Sequence, residues 1–173
     1  MENFIGAQWI CLGMIWTLIY GYEALGYSPD PDHCYASDFS NFRVTDLHDK
    51  RTDDFVDVGE RFSIIFTIAY FSALTIFVMG ILHCFNHKHV RIFARAIGTI
   101  ANNVMGIAVI IGLVFRMIHS GKVCSGDFIA DKDSKDGYLI TQGFILMLVI
   151  YIYIASCCFF VLIGAVAFFL STS

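Results

Sequence analysis

The sequence predicts an all-α polytopic membrane protein, a four-transmembrane-helix bundle with two outward loops. Three observations carry that prediction. The chain has 173 residues, 57% of them hydrophobic and only 15% charged, too apolar a balance for a soluble domain to cover its surface with polar groups. The charges are clustered, which leaves uncharged stretches at residues 3–22, 62–87, 96–115 and 137–173. Each can supply the roughly 20 residues that a helix rising about 1.5 Å per residue needs to cross about 30 Å of hydrocarbon. Finally, these runs lack the two-residue alternation of barrel strands, and backbone groups in lipid must bond within their own segment.

The first span is expected at residues 4–25. It lacks a positive leader and a small-x-small cleavage site after its apolar run, so it reads as a retained signal anchor. Both prolines, Pro29 and Pro31, fall in the polar stretch Ser28-Pro29-Asp30-Pro31-Asp32. That stretch opens an outward loop over residues 26–60. A second span over residues 62–85 leads into a short inward loop at 86–93 and a third span at 94–118. Arg95 and Arg116 bracket the third span and lie about 31 Å apart along a helix, close to one hydrocarbon thickness. The second outward loop covers residues 119–137, and the fourth span covers 138–170. A wholly helical fourth span would be about 50 Å long, so it must tilt, bend or protrude.

Charge sets the orientation. Between Arg61 and Asp127 there is no Asp or Glu, while Lys88, Arg91 and Arg95 surround the short loop. Under the positive-inside rule that loop and both chain termini are cytoplasmic. The first outward loop holds Asp30, Asp32, Asp38, Asp46, Asp49, Asp53, Asp54, Asp57 and Glu60 against Arg43, Lys50 and Arg51. The plasma membrane or another endomembrane is the expected location.

Of the six cysteines, only Cys34 and Cys124 lie outside the spans, one in each outward loop. An intramolecular disulfide between them is the preferred reading, over two free thiols or bridges to a neighbouring chain. Cys11, Cys84, Cys157 and Cys158 read as small apolar residues in the spans, and the adjacent Cys157-Cys158 pair lacks the spacer of a dithiol catalyst.

Polar groups inside the membrane are candidate sites because they are costly there. Gly98, Asn102 and Gly106 continue from Ala94 at intervals of four and are expected to form a helix-packing face, within the bundle or between subunits, with the Asn102 amide bonding across it. The alternative has Asn102 and Asn103 lining a polar pathway. Glu23 and Arg116 fall at similar depth near the outer ends of their spans, so an ion pair between them is expected, with separate snorkelling as the alternative.

His83, Cys84, His87 and His89 gather near the inward loop, yet their spacing matches no closed metal site. A transmembrane haem finds no support, since His83 and His119 belong to opposite faces. The loop Asp131-Lys132-Asp133-Ser134-Lys135-Asp136-Gly137 departs from a calcium loop at Lys135 and in its late glycine. No nucleophile–base pair, phosphate loop or carboxylate pair is evident, so no catalytic activity, metal or cofactor is expected. A net charge of -4 argues against nucleic-acid binding.

Four spans, cytoplasmic termini and a larger first outer loop resemble the broad tetraspan class that includes claudin-like and MARVEL-domain proteins. The resemblance lies in topology alone. The claudin pattern of a tryptophan followed by two loop cysteines is absent, as are the cysteine patterns of true tetraspanins and connexins, and no functional residue carries over. The expected role is a non-enzymatic structural or assembly protein that self-associates or serves as an accessory subunit, surrounded by lipid and other membrane subunits. A channel or transporter subunit, with Asn102, Asn103, Gln142 and Glu23 around a pathway, is the alternative.

Overall fold

The computed structural model describes residues 2–39, 43–44, 55–85, 87–128, 138–152 and 154–155. Along them run α1 (Glu2–Ala24), β1 (Tyr35–Ser37), β2 (Arg43–Val44), β3 (Phe55–Asp57), α2 (Val58–His83), α3 (Lys88–Met117), α4 (His119–Cys124) and α5 (Ile140–Ile152). The described chain is therefore mostly helical, as the composition implies.

Helix α1 ends where Gly26 takes a left-handed φ of 73°. The Gly26 N–H donates to the Glu23 carbonyl and the Tyr27 N–H to the Tyr22 carbonyl, both at 3.1 Å. This pair of bonds is the Schellman stop, and it requires a residue without a Cβ penalty at the left-handed position. Pro29 and Pro31 follow in an irregular stretch with bends at residues 28–30 and 32.

The sequence places only a loop at residues 26–60, whereas the structure folds part of it into an antiparallel sheet ordered β2-β1-β3. Tyr35, Ala36 and Ser37 pair with Asp57, Val56 and Phe55 on one side, and Tyr35 and Ala36 pair with Val44 and Arg43 on the other. Strands of two or three residues are too short to show alternation, which is why the pattern was not legible. β3 runs directly into α2, where the Asp57 carboxylate accepts the Glu60 N–H at 3.2 Å. That cap starts α2 at Val58, ahead of the expected residue 62. Helix α3 likewise starts at Lys88 rather than at residue 94, because Lys and Arg are good helix formers and end an apolar run without ending a helix.

Helices α1 and α2 lie antiparallel with their backbones close. A Cβ on Gly13 would come within 2.6 Å of the Phe77 nitrogen, and one on Gly80 within 2.8 Å of the Ile10 nitrogen. Gly21 admits the Tyr70 ring in the same seam, at 3.0 Å from a Cβ position. Small residues at such crossings let dispersion contacts accumulate along the whole seam. The core between α1, α2 and α3 contains Tyr20, Phe62, Ile65, Phe66, Ala69, Ala73, Ile76, Ala101 and Met105, and Leu139, Leu146 and Val149 extend it toward α5.

Helix α3 buries Ala94, Gly98, Ala101, Met105, Ala108, Gly112 and Arg116. Intervals of four and three alternate along most of this row, which keeps it on one side of a 3.6-residue helix. The expected stripe of Gly98, Asn102 and Gly106 uses intervals of four alone, which drift about 40° per step. Gly98 is buried against the Trp9 ring, Asn102 is exposed, and a Cβ at Gly106 would meet nothing within 4 Å. Within the single chain the packing face is therefore the Ala94–Arg116 row, which shares Gly98 with the expected stripe and leaves Asn102 and Gly106 outside it.

The opposite faces remain apolar. Phe93, Ile100, Ile107, Ile110 and Val114 of α3, together with Ile64 and Phe71 of α2, are exposed. Helices α2 and α3 are each long and apolar enough to cross a membrane, and only 39% and 28% of their most apolar 18-residue windows are buried. A core helix of a soluble protein would be mostly covered, so these faces call for lipid or another apolar surface.

The glycine seam yields a paired prediction, read as thermal unfolding in detergent. Gly13→Val forces α1 and α2 apart and lowers stability by about 1–3 kcal/mol. Gly106→Ala, whose new methyl meets open space, leaves stability unchanged or raises it by up to about 1 kcal/mol through helix propensity.

Candidate functional site

At the end of the bundle that carries the sheet, helix termini from three parts of the chain converge. Each needs acceptors for its free N–H groups, and the first loop supplies them. Asp57 caps α2 and is itself held by His33, whose Nδ1 lies 2.7 Å from Asp57 Oδ2. Asp38 accepts the Ser120 N–H in the first turn of α4 at 3.1 Å. Asp30 accepts the Thr141 hydroxyl at 2.9 Å and the Gln142 N–H at 2.8 Å in the first turn of α5. Negative charge at a helix N-terminus is also favoured by the helix dipole. The side chain and backbone N–H of Ser120 hold the Asp38 pKa below its ordinary 3.8.

Cys34 and Cys124 form a disulfide with a Cα–Cα distance of 6.0 Å, joining positions 90 residues apart. Both are fully buried. Backbone bonds flank the bridge, since the Cys34 carbonyl accepts the Val58 N–H at 2.9 Å and the Cys124 carbonyl accepts the Leu139 N–H at 2.7 Å. Sheet, α2, α4 and the entry to α5 are thereby locked into one head.

Arg116, expected beside Glu23, has another partner. Its two terminal nitrogens donate to the Asp127 carboxylate at 2.9 and 2.6 Å, and Nε donates to the Gly143 carbonyl at 3.3 Å. The fork geometry of guanidinium against carboxylate makes this a strong charge-assisted pair. Gly143 permits the approach, for a Cβ there would lie 3.2 Å from Arg116 Nε and also crowd Ser125. Helical depth matched Arg116 to Glu23, but a residue eleven positions along the chain closed the pair first. The Arg61 guanidinium sits 5.0 Å above the Phe115 ring, a second tie between α2 and α3.

Glu23 is turned instead toward a cavity of about 440 Å³ beneath the head, which Ser28, Asp30, Asp32, Glu60 and Gln142 also line. Glu23 and Gln142 are 7% and 9% exposed. A separate cavity of about 360 Å³ lies deeper in the bundle, lined by Gln8, Trp9, Trp16, Thr99, Asn102 and Met105 among others. Asn102 thus faces a cleft between α1 and α3, while Asn103 is exposed. Gly106 lines an apolar cleft of about 260 Å³ between α3 and α5.

At the opposite end, His83 is buried beside Trp9, with ring centroids 6.1 Å apart, whereas His87 and His89 are exposed and 5.8 Å apart. Among the described residues no three His, Cys, Asp or Glu side chains are placed to hold a metal ion. Residues 131–137, Cys157 and Cys158 lie outside the described residues.

Sequence reasoning singled out the disulfide pair and Arg116 but missed the caps. Asp57 and Glu60 carried a readable signal, an N-cap residue with an acidic residue three positions on. Asp30 and Asp38 carried none, because the groups they bond lie 82 residues or more away in sequence.

Comparison with models of known protein families, with curated proteins and with solved structures finds no match for this chain.

Two outcomes test the head. Arg116→Asp loses about 2 kcal/mol or more of stability, and the double variant Arg116→Asp, Asp127→Arg recovers part of it. Arg116→Glu combined with Glu23→Arg recovers none, as thermal midpoints in detergent will show. For Asp38 the folded pKa is depressed, so its contribution is present above the unfolded pKa and is lost as pH falls through the folded one. Wild type is therefore more stable than Asp38→Ala at pH 7, and the gap between their midpoints narrows below about pH 4.

Proposed function

We propose that this chain is a four-span integral membrane protein with a non-enzymatic structural or assembly role, self-associating or serving as an accessory subunit of a larger membrane complex. In this reading α1, α2 and α3 are the first three spans, and the apolar sequence over residues 138–170, of which α5 is the described part, supplies the fourth. The basic connection at Lys88 and Arg91 and both termini are cytoplasmic, and the disulfide-tied head is outside, where oxidising conditions sustain the bridge.

The observation that carries the proposal is the division of α3 into two faces. One is a mostly Ala and Gly row closed chiefly against α2, with Trp9 of α1 over Gly98 and Leu146 of α5 beside Gly112, and the other is a bare surface of Phe93, Ile100, Ile107 and Ile110. Close-packed small residues use up the polar and small positions inside the bundle, leaving large branched side chains for lipid or a second protein. A head cross-braced by the disulfide and the Arg116–Asp127 pair suits presentation of a fixed surface.

The cleft holding Gln8, Thr99 and Asn102 favours the second reading, a channel or transporter subunit. Crosslinking in native membranes, followed by mass measurement in lipid nanodiscs, separates the two. Assembly predicts dimers or larger species that persist in Asn102→Leu, with no permeation lost. Recovery of monomer alone would remove the assembly role, and altered permeation by intact Asn102→Leu would favour the channel. Protease added outside sealed vesicles is expected to cut within residues 40–54 and to leave Lys88 and Arg91 uncut.

A further inference from the structure

The cavity beneath the head has the makings of a binding site for a cation. Its charged walls are Glu23, Asp30, Asp32 and Glu60, and among the described residues no Lys or Arg lines it. His33 lies on the rim, already engaged with Asp57 at 2.7 Å. An acidic lining alone would mean little, since carboxylates at a rim are solvated. Two side chains are different. Glu23 and Gln142 are more than nine-tenths buried, and among the described residues no donor stands in good hydrogen-bond geometry to Glu23 Oε1, Glu23 Oε2 or Gln142 Oε1, although the Ser28 and Gln142 side chains neighbour the Glu23 carboxylate. Buried acceptors left without donors are disfavoured by the desolvation of each group, and more so for a carboxylate. Asp30 cannot relieve them, because it is an acceptor and both its oxygens are occupied by Thr141 and Gln142.

What is missing is a positively charged donor. A divalent ion fits poorly, since no three carboxylate, His or Cys side chains converge among the described residues, and Ca²⁺ takes about 6–8 oxygens. A primary ammonium group carries three N–H donors, matching the three acceptor atoms of Glu23 and Gln142. The volume, about 440 Å³, leaves room for the organic part of a small ligand. We propose that this cavity binds a primary ammonium group through Glu23 and Gln142, with Asp32 and Glu60 as an acidic rim that attracts it. The group could be a free small amine or the headgroup amine of a phospholipid, and the chemistry of recognition is the same.

The test uses the full chain in detergent stripped of amine lipids, with ethanolamine as probe and unfolding midpoint as readout. Ethanolamine raises the wild-type midpoint in a concentration-dependent way, while tetramethylammonium, which has no N–H donor, does not. Glu23→Gln and, separately, Gln142→Met weaken the apparent affinity about tenfold or more. Without ligand, Glu23→Gln is at least as stable as wild type, because it removes a carboxylate whose charge burial disfavours. Should Glu23→Gln fail to fold, that last expectation is overturned and Gln142→Met decides the affinity. In a second arm, nanodiscs of phosphatidylglycerol with and without phosphatidylethanolamine are compared. A midpoint shift confined to phosphatidylethanolamine, and abolished in the variants, assigns the amine to lipid. A response to Ca²⁺ alone, or no response to amine in either arm, overturns the proposal.

Discussion

A helix that begins in a crowded corner has N–H groups that must find acceptors, and in this fold three helices begin in the same corner. Asp57, Asp38 and Asp30 meet the amides of α2, α4 and α5 in turn. Everything else at that end depends on this arrangement. The caps fix where each helix starts, the starts fix how the helices enter the bundle, and the entry geometry brings Cys34 within bonding reach of Cys124. A surplus of aspartate that looks like simple surface charge is in part a set of long-range structural acceptors.

Two kinds of contact then divide the labour along the molecule. In the bundle, glycines at positions 13, 21 and 80 let α1 and α2 approach until backbone and side chain interlock. Those contacts are apolar and additive, and each is small. At the head the contacts are few and directional: a covalent bridge, a bidentate Arg116–Asp127 pair and the aspartate caps. Directional contacts specify one arrangement, which suits a region whose strands are only two or three residues long and would otherwise pair weakly.

Much of the helical frame was legible because apolar length is a one-dimensional signal. The Cys34–Cys124 pair was legible for a similar reason, since each lies alone in its loop and few alternatives existed for pairing. What escaped was whatever depends on phase or on distant partners. As an intrachain contact the Gly98-Asn102-Gly106 stripe is out of phase, since a strict interval of four winds away from the contact that Ala101, Met105 and Ala108 maintain. Arg116 failed on partnership, because Asp127 competes with Glu23 only once α4 has turned the chain back. Asp30 and Asp38 could not be assigned from sequence, for nothing near them marks the helices they serve.

Surface loops usually tolerate insertions, since their ends stay put while their middles bulge outward. The stretch from Asp30 to Asp38 is not free in that way. Within nine positions it must deliver a carboxylate to α5, a cysteine to the bridge, a strand to the centre of the sheet and a carboxylate to α4. One added residue would shift the register between those deliveries, so homologues of this chain should vary in composition here long before they vary in length.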